Sequence, residues 1–480
     1  MKNLEKNYRL LNTVITSLLA SAGFLAVLLW FGAKPETEIE LRKPVYHAGR
    51  ETGAGTRVEI GSFFRSFSGV PSLTGGNWGS FRGEARDNVS RENIPLTGTL
   101  DETDLPVLWD VRLGEGYAGP AVRNGLVYIL DYDSEERRDI LRAFSLDDGS
   151  EVWRRGYDIA IKRNHGYSRT VPAVTERHAV TIGPKGHVMC VDALSGEFIW
   201  GIDLEAEYGS EIPPWYAGQC PLIDGDTAVI APGGRALLIG VDLDTGEVLW
   251  ETPNPGSFSM SHSSVIPMTF HGKKMYVYCA VGGMTGVSAE GKDRGRILWQ
   301  IREWTQAVIA PSPVELPDNR IFVTAGYGAG GAVFEIKEEE GVFGARITER
   351  FDRSVIAAEQ HTPVFYNGSL YSVLPYDAGE LNRQLVRVST DGRLIWSSGR
   401  TQRFGLGPFI IADGKIYVLD NDGYLTVAEA GADGYRKLSR ARVLRGKESW
   451  GPIAVTEGRM LLRDYETLIC LDLRETSDEE

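Results

Sequence analysis

Short apolar runs separated by polar turns recur from about residue 105 to the C-terminus. Each run predicts a strand, because it spans a few residues and is bounded by Gly, Pro, Asn, Asp or Ser rather than continued with helical periodicity. Residues 146–153 combine an acidic turn containing Gly149 with a strand that ends in an indole. This unit recurs, and a Gly lies four residues before each Trp. The five indoles are Trp153, Trp200, Trp250, Trp299 and Trp396.

The spacing of these Trp residues indicates a repeat of propeller-blade length. The intervals are 47, 50, 49 and 97 residues, so one repeat inside the last interval lacks its Trp. A strand-rich repeat of this period is typical of β-propeller blades. A Pro that opens an apolar run is a second marker, with Ser264 in the place of the missing fourth Pro. The eight predicted starts are residues 120, 172, 221, 264, 313, 363, 408 and 452.

The two ends of the repeat array complement each other. The eighth repeat has no outer strand, whereas residues 105–113 have an outer-strand sequence with no repeat before them. If this N-terminal strand completes the last blade, ladder hydrogen bonds join the ends of the ring and its open sheet edges disappear. The sequence therefore predicts an all-β fold, an eight-bladed β-propeller over residues 105–480, closed by an N-terminal strand.

The N-terminal region predicts a membrane anchor. Residues 10–31 carry no charge, are preceded by Lys2, Lys6 and Arg9, and at 1.5 Å per residue would cross a ~30 Å hydrocarbon core. The positive-inside rule then predicts a cytoplasmic N-terminus (1–9), one transmembrane signal anchor (10–32), and a propeller on the periplasmic side of the inner membrane. The sequence 20–22, Ala-Ser-Ala, resembles a signal-peptidase site, so cleavage stays open. Residues 33–104 are interpreted as a linker and propeller-wrapping segment.

Composition excludes several function classes. The net charge of -14 argues against a nucleic-acid partner, since such binding requires clustered Lys and Arg. The four cysteines are far apart in sequence and none has zinc-site spacing, so we expect small buried apolar side chains and no metal site. Two Gly-x-Gly-x-x-Gly segments, 114–119 and 326–331, precede strands. A phosphate-binding loop needs a helix N-terminus behind it, so we interpret both as strand connections.

The residues just before each innermost strand are the candidate site, because in a propeller they converge on one mouth of the central channel. Counting two residues back from each start puts His262 and His361 in register. Such a ring could hold a polar or anionic ligand, or it could serve only the local backbone and ordered water. The candidate ligand-binding residues are His165, Arg169, Gln219, His262, Gln360, His361 and Arg403.

The Gly-Glu-x-x-Trp repeats, together with Asn-Trp-Gly-Ser-Phe-Arg-Gly at 77–83, resemble the family of pyrroloquinoline-quinone (PQQ)-like repeat β-propellers. The resemblance covers residues 77–480. It implies kinship with quinoprotein alcohol dehydrogenases and with an outer-membrane assembly propeller lipoprotein. In the dehydrogenases of this family, Ca²⁺ polarises the quinone, an Asp acts as base, and a disulfide of adjacent cysteines covers the cofactor. This chain has no adjacent cysteines, and Glu359 is the one carboxylate that the pattern places at the mouth.

Three functions remain open from the sequence. The favoured one is a binding or scaffold module without catalysis, tethered to the membrane by its N-terminal helix, with a protein or polymer partner on a propeller face. The alternative is a dehydrogenase that uses PQQ and calcium to oxidise an alcohol, with His262, His361, Arg169 and Gln219 around the cofactor. A metal-dependent hydrolase built on the two histidines is the third.

Overall fold

The computed structural model describes residues 13–25 and 58–475. The chain divides into two compact units, Met1–Thr56 and Arg57–Glu480. In the first unit, residues 13–25 form helix α1, whose side chains are exposed. None of the helices within the described ranges is both long and apolar enough to cross a membrane. The transmembrane helix predicted at 10–32 is therefore not confirmed, and residues 10–12 and 26–32 of it lie outside the described residues, as do 1–9 and 33–57.

The second unit is built almost entirely of strands. Its first strands are β1 (Phe63–Ser66), β2 (Asn77–Trp78), β3 (Val107–Arg112), β4 (Ala121–Arg123), β5 (Leu126–Asp133), β6 (Arg138–Ser145), β7 (Glu151–Asp158), β8 (Ala173–Val174), β9 (His178–Ile182), β10 (His187–Asp192), β11 (Phe198–Asp203), β12 (Leu222–Asp224), β13 (Thr227–Ile230), β14 (Ala236–Asp242), β15 (Val248–Pro253), β16 (Ile266–Phe270), β17 (Lys273–Ala280), β18 (Gly283–Ser288) and β19 (Ile297–Ile301). Helix α2 (Leu204–Tyr208) follows β11.

The remaining strands are β20 (Val314–Leu316), β21 (Arg320–Ala325), β22 (Gly330–Glu339), β23 (Val342–Phe351), β24 (Val364–Tyr366), β25 (Ser369–Val373), β26 (Leu385–Ser389), β27 (Leu394–Ser397), β28 (Phe409–Ala412), β29 (Lys415–Leu419), β30 (Tyr424–Glu429), β31 (Lys437–Arg442), β32 (Ala454–Thr456), β33 (Arg459–Arg463) and β34 (Thr467–Asp472). Two single 3₁₀ turns, Gly291–Asp293 and Gly379–Leu381, interrupt the loops.

These strands form eight antiparallel sheets, the blades of a β-propeller. Blades 1 to 7 each contain four consecutive strands, from β4–β7 to β28–β31, and blade 8 contains β32, β33, β34 and β3. Strand β3 pairs with β34, so that Trp109 lies opposite Cys470. The prediction of eight blades closed by an N-terminal strand is thus confirmed. We call the channel end at which the innermost strands begin the mouth, and the end at which they finish the base.

The repeated Gly and Trp bring neighbouring blades into contact at several junctions of the ring. Gly196 has a φ of 70°, and a Cβ there would lie 2.6 Å from the Trp153 ring of the preceding blade. The same contact joins Trp109 to Gly149 across the closure of the ring. Any larger residue would collide with the indole and would also be strained at positive φ. The Gly is therefore required by packing between neighbouring blades.

The fifth blade, whose Trp is missing, keeps the same contact with a different ring. A Cβ at Gly392 of blade 6 would lie 2.6 Å from Phe351, the last residue of β23. Phe351 thus occupies the place of the absent indole. The 97-residue interval in the sequence therefore spans two repeats, and in the first of them Phe replaces Trp.

A ladder of hydrogen bonds along the channel wall fixes the register of blades 2 to 6. The amide of Cys220 donates to Ser264 Oγ at 3.0 Å. The amide of Ser264 donates to Ser312 Oγ at 3.1 Å, and that of Ser312 to Thr362 Oγ1 at 2.9 Å. Cys220, Ser312 and Thr362 each precede a Pro, so Ser264 aligns with them and Val265 takes the place of the missing Pro. The predicted start at 264 was one residue early, because the ladder requires a hydroxyl there.

This shift changes the alignment of the two mouth histidines. With Val265 in the place of Pro, Ser263 is equivalent to His361, and His262 is equivalent to Gln360. The two histidines are therefore not in register, contrary to the prediction. Both still precede an innermost strand, so both lie at the mouth.

The segment from residue 58 to 104 is part of the propeller. Strand β1 pairs with β7 at the outer edge of blade 1, whereas β2 pairs with β4 at its inner edge. The chain therefore passes from the rim of the ring to its axis. All four cysteines are buried and unbridged, as expected for small apolar side chains.

Residues 77–92, which we call the base segment, then cross the base of the channel. The carbonyl of Gly79 accepts from Val174 in blade 2 at 2.6 Å, and the amide of Ser90 donates to Ile411 in blade 7 at 2.8 Å. Glu92 accepts from Thr456 in blade 8. Arg82 is 4% exposed and reaches into the channel, where its Nη2 donates to Pro363 of blade 6 at 3.1 Å. The base is thus closed by main-chain bonds to blades 1, 2 and 7 and by side-chain bonds to blades 6 and 8.

Candidate functional site

The mouth differs from the base, because side chains from separate loops approach each other there. Three kinds of loop contribute: those that enter each innermost strand, such as residues 209–221, those between the second and third strands of a blade, such as 326–329, and the connection 443–453 into blade 8. Helix α2 positions the first of these. Asp203 caps its N-terminus, and Gly209 ends it in the left-handed conformation, so the chain turns back over the channel.

His262 and His361 are the central polar groups of the mouth. Burial lowers the pKa of each imidazole to about 4, so both are neutral at pH 7. His262 donates to the carbonyl of Pro214 and His361 to that of Trp450. The Nε2 of each ring is buried without a partner in the protein, so the donating atom is Nδ1. Each histidine therefore presents an unused acceptor.

Two hydroxyls in the same layer are also unpaired. The Oγ atoms of Ser263 and Ser449 are buried and have no hydrogen-bond partner within the protein. Ser263 is equivalent to His361 in the repeat, and Ser449 is equivalent to His262. Buried polar atoms are normally satisfied, so four unpaired groups at two repeat positions indicate a place for ordered water or a ligand.

Arg169 is committed to the backbone of the mouth. Its guanidinium donates to the carbonyls of Trp215, Asn164 and His165 and lies 5.1 Å from the Tyr117 ring centroid. Burial lowers its pKa to about 10, which leaves it charged at pH 7. The predicted site residue Arg169 is therefore at the mouth, where it holds two loops together.

Gln219 and Arg403 are used structurally. The side-chain amide of Gln219 is fully buried and exchanges two hydrogen bonds with the backbone of Ala231, at 2.7 and 2.9 Å. Arg403 donates to the carbonyl and side chain of Asn382 and to the carbonyl of Arg400. Both side chains are thus held by bonds to neighbouring groups of the protein.

The other two predicted residues lie beside the site. His165 is exposed, has a φ of 49°, and offers its carbonyl to Arg169. Gln360 is half-buried and lies next to His361. Of the seven predicted residues, His262 and His361 thus have a buried side-chain atom without a hydrogen-bond partner.

Aromatic residues that the repeat pattern did not single out dominate the rim. Trp215 and Tyr327 are stacked with an interplanar angle of 7° and a centroid distance of 6.3 Å. The His262 ring lies 6.3 Å from Trp215. Across the mouth, Tyr117 stacks on Trp450 at 5.1 Å and donates to Glu448. The mouth is therefore an aromatic rim around a polar layer.

The backbone holds part of this rim in an unfavourable conformation. Trp215, Tyr216 and Tyr327 have φ values of 63°, 76° and 57°, and within the described ranges they are the Phe, Tyr or Trp residues at positive φ. This region costs a bulky residue of the order of 1–3 kcal/mol and persists where the surroundings impose it. All three lie at the mouth. Because strained residues cluster at functional sites, this conformation makes the mouth the candidate site.

Two carboxylates lie behind Tyr327. A Cβ at Gly326 would meet Glu359 at 2.6 Å, and one at Gly328 would meet Arg353 at 3.0 Å, so the Gly-Tyr-Gly turn lies directly against these side chains. Burial, followed by repulsion from Asp377, raises the pKa of Glu359. The Oδ1 atom of Asp377 is buried and unpaired, while Oδ2 is 3.6 Å from Arg353.

The comparisons with known proteins agree with this architecture. The family model described as outer membrane protein assembly factor BamB matches residues 137–372, slightly less than half of the chain. The chain resembles the quinohemoprotein alcohol dehydrogenase ADHIIG of Pseudomonas putida HK5, with a TM-score of 0.55, 13% identity, and 84% of this chain and 81% of that one covered. It also resembles the quinohemoprotein alcohol dehydrogenase of Comamonas testosteroni, with a TM-score of 0.56 and 12% identity. That match covers 84% of this chain and 82% of the other. No curated protein sequence matches the chain.

The chain is a PQQ-like β-propeller. At 12–13% identity the similarity to the two dehydrogenases shows the fold alone. Whether this PQQ-like propeller can hold the quinone and its calcium ion has to be judged from its own residues.

The mouth of this PQQ-like propeller does not fit PQQ with calcium. Within the described ranges, no group of three or more His, Cys, Asp or Glu side chains is arranged to hold a metal ion. Calcium needs six to eight oxygen ligands. Glu448 is bound to Tyr117, and Arg169 and Gln219, which the dehydrogenase hypothesis placed around the cofactor, are bound to backbone groups.

Sequence reasoning missed Trp215, Tyr327 and Asp377. Trp215 follows two prolines in a loop without periodicity, and Tyr327 lies in the second Gly-x-Gly segment of this PQQ-like propeller. An aromatic residue between two glycines was the available signal, since Gly on both sides indicates close approach of neighbouring groups. No pattern identified Asp377.

Proposed function

We propose that this PQQ-like propeller is a membrane-anchored, extracytoplasmic binding module that holds a protein or polymer partner at the mouth of its channel and does not catalyse a reaction. One observation carries the proposal. The mouth combines unpaired buried acceptors, at His262 and His361, with aromatic rings held at positive φ, while the base is closed by main-chain hydrogen bonds. Aromatic anchors around a desolvated polar centre are typical of binding surfaces.

The state of the polar groups favours binding over acid–base catalysis. The two imidazoles have pKa values of about 4, so near pH 7 they are poor proton donors. Arg169 and Gln219 have fixed partners in the backbone. A preformed aromatic and acceptor surface is suited to recognition, in which affinity comes from burial and hydrogen bonding rather than from chemistry.

The anchoring part of the proposal is supported by the sequence. The uncharged run at 10–31 follows three basic residues, and its residues 13–25 are helical. The test is fractionation of cells that express the full chain, followed by alkaline extraction of the membranes. We expect the chain to stay with the membrane and a variant lacking residues 1–33 to be released. Release of the full chain would refute the anchor.

The binding part is tested by site-specific photocrosslinking in the native membrane. A photoreactive amino acid at Tyr327 is expected to capture a reproducible partner, whereas the same group at Leu249, which is 51% exposed on the outer strand of blade 3, is expected not to. Equal capture at both positions, or none at Tyr327, would refute binding at the mouth. Titration with PQQ, with and without Ca²⁺, tests the absence of catalysis, since saturable Ca²⁺-dependent binding would contradict it.

A further inference from the structure

We propose that the rim of the mouth between blades 3 and 6 is a subsite for a positively charged amine, such as the side chain of a Lys presented by a protein partner. This inference rests on the proposed function, because it names the chemistry that the mouth would recognise. The rim subsite consists of Trp215, His262, Tyr327, Glu359 and Asp377.

The five residues form a continuous surface although they come from four different blades. His262 packs beside Trp215, and Trp215 stacks with Tyr327 at 6.3 Å. The turn that carries Tyr327 lies against Glu359, and the next glycine lies near Arg353 and Asp377. Tyr327 is 56% exposed, so this surface opens to solvent.

Two polar atoms of the rim subsite are buried without a partner in the protein, and both can accept hydrogen bonds. His262 Nδ1 donates to Pro214, which leaves Nε2 with a lone pair and no partner. Asp377 Oδ1 is likewise buried without a partner. An ionised carboxylate has no hydrogen-bond donor and can only accept. A ligand that satisfies these two atoms must supply hydrogen-bond donors. An ammonium group has three donors and no acceptor, which matches the set.

The charges favour the same ligand. Burial and the nearby Asp377 raise the pKa of Glu359, which means that no protein cation compensates it fully. Arg353 is 3.6 Å from Asp377, but its side chain is 46% exposed and is shared with solvent. A cation placed between the two carboxylates would relieve their repulsion in a partly desolvated site, where such interactions are stronger than in water.

The aromatic pair completes the requirement for a cation. Amines bind over the faces of Trp and Tyr within about 6 Å of the ring centroid, and this attraction increases when water is displaced. Trp215 and Tyr327 are parallel and are held at positive φ, so their faces are positioned before any ligand arrives. An anion would be repelled, because the unpaired acceptors and the faces of the aromatic rings carry partial negative charge. A sugar carries no charge, so it would not relieve the repulsion between Glu359 and Asp377.

The experiment is calorimetric titration of the full chain in detergent with a blocked hexalysine peptide, and with hexaglutamine as the uncharged probe. We expect saturable binding of hexalysine and no binding of hexaglutamine. The affinity for hexalysine should fall at least tenfold in the double variant Glu359→Gln/Asp377→Asn. The matched control is Asp318→Asn/Glu340→Gln, which removes two exposed acids at turns on the base side of blade 5. The control is expected to bind within twofold of the wild type, because it changes the net charge equally.

The contribution of the aromatic rings is tested by Tyr327→Leu, which should lower the affinity for hexalysine three- to tenfold. Glu359→Lys is the second variant, since its own ammonium would occupy the subsite. It is expected to abolish hexalysine binding while the thermal midpoint stays at or above that of the wild type. Equal weakening by both double variants would show non-specific attraction and refute the subsite, as would the absence of hexalysine binding to the wild type.

The outcomes separate this inference from the proposed function. If the photoreactive group at Tyr327 still captures the partner in Glu359→Gln/Asp377→Asn with unchanged yield, the mouth binds its partner without the acids, and the cation subsite is wrong. If capture at Tyr327 fails in the wild type, the proposed function is wrong whatever the peptide does.

Discussion

The two ends of the channel are closed in different ways. At the base, one continuous stretch of chain crosses the axis and is bonded through main-chain atoms to blades 2 and 7, with side chains adding blades 6 and 8. At the mouth, separate loops meet through aromatic rings, and His262, Ser263, His361 and Ser449 keep unpaired atoms. Unpaired atoms are not confined to the mouth, because Arg82 Nε in the base segment is also buried without a partner. The ends differ in that a continuous stretch of chain ties the base together, whereas unpaired acceptors and hydroxyls accumulate at the mouth, and we infer that stability depends more on the base and binding on the mouth.

The contrast also applies to the backbone conformation of large aromatic residues, although Arg82, Arg86 and Asn88 of the base segment are at positive φ as well. Trp215, Tyr216 and Tyr327 occupy positive φ at the mouth. Trp78 at the base lies in a strand, is 4% exposed and packs against Gly83, whose own positive φ suits a glycine. Large aromatic side chains thus serve opposite purposes at the two ends. Trp78 is buried in a strand conformation at the base, whereas Tyr327 at the mouth is at positive φ and 56% exposed.

The largest expected effect is on the base. Trp78→Ala should lower the free energy of unfolding by about 3–5 kcal/mol, since it removes a buried indole and leaves a cavity. Trp215→Ala, at the half-buried mouth, should cost less than about 1.5 kcal/mol. Urea denaturation followed by circular dichroism measures both. Equal losses would contradict the division between a stabilising base and a binding mouth.

The second prediction concerns pH. His262 and His361 have pKa values of about 4 in the folded chain and 6.5 ordinarily, so the unfolded chain binds more protons between these values. Stability should therefore be complete above pH 6.5 and fall as the pH drops towards 4, by about 1–3 kcal/mol for each buried imidazole.

The measurement for this prediction is the difference in thermal midpoint between the wild type and His262→Gln/His361→Gln from pH 7.5 to 4. The difference is needed because Asp139, whose pKa burial raises to about 7, has the opposite slope and loses stability as the pH rises. Parallel curves for the two proteins would show that the histidines do not titrate as proposed.

A third prediction tests the ladder between the two ends. Ser312→Ala should cost about 1–3 kcal/mol, because the buried amide of Ser264 loses its acceptor. Ser354→Ala is the control, since that hydroxyl is exposed and bonds only to Asp352. Its effect should stay within about 0.5 kcal/mol in the same denaturation assay. A Ser312→Ala protein as stable as the control would show that the ladder is dispensable.

The smallest effect is expected at the strained rim. Tyr327→Asn should raise the free energy of unfolding by roughly 0.5 kcal/mol, since Asn tolerates the left-handed region better than Tyr. The same variant should lose hexalysine binding, so stability and affinity move in opposite directions. Loss of both would mean that the Tyr327 ring stabilises the fold and is not held there for binding.

Much of the fold could be predicted because packing between blades repeats in the sequence. The Gly that must approach the indole of the preceding blade, and the Pro before each innermost strand, recur at a fixed period and mark eight blades. The incomplete eighth repeat and the outer-strand sequence at 105–113 predicted the closing strand, and β3 confirms it. The predicted start of blade 4 was wrong by one residue, because Val265 stands in the place of the Pro.

The site was less predictable, because it depends on which atoms are already bonded. Gln219 and Arg403 are polar residues at the right repeat positions, but their bonds to Ala231 and Asn382 can be seen only in three dimensions. Tyr327 depends on a backbone conformation that no periodicity reports. Residues 33–104 were predicted to wrap the propeller, but the crossing of the base by residues 77–92 was not predicted. That segment pairs through its main chain, which leaves no alternation of apolar side chains.

The ring closure through β3 also has a consequence for synthesis. Residues 107–112 leave the ribosome before any blade exists, yet they pair with β34, the last strand of the ring. The β3 edge therefore stays open while all seven complete blades are formed, and it could meanwhile pair with a neighbouring chain. We expect nascent chains arrested before β34 to aggregate or recruit chaperones, whereas release of the finished chain closes the ring in one step.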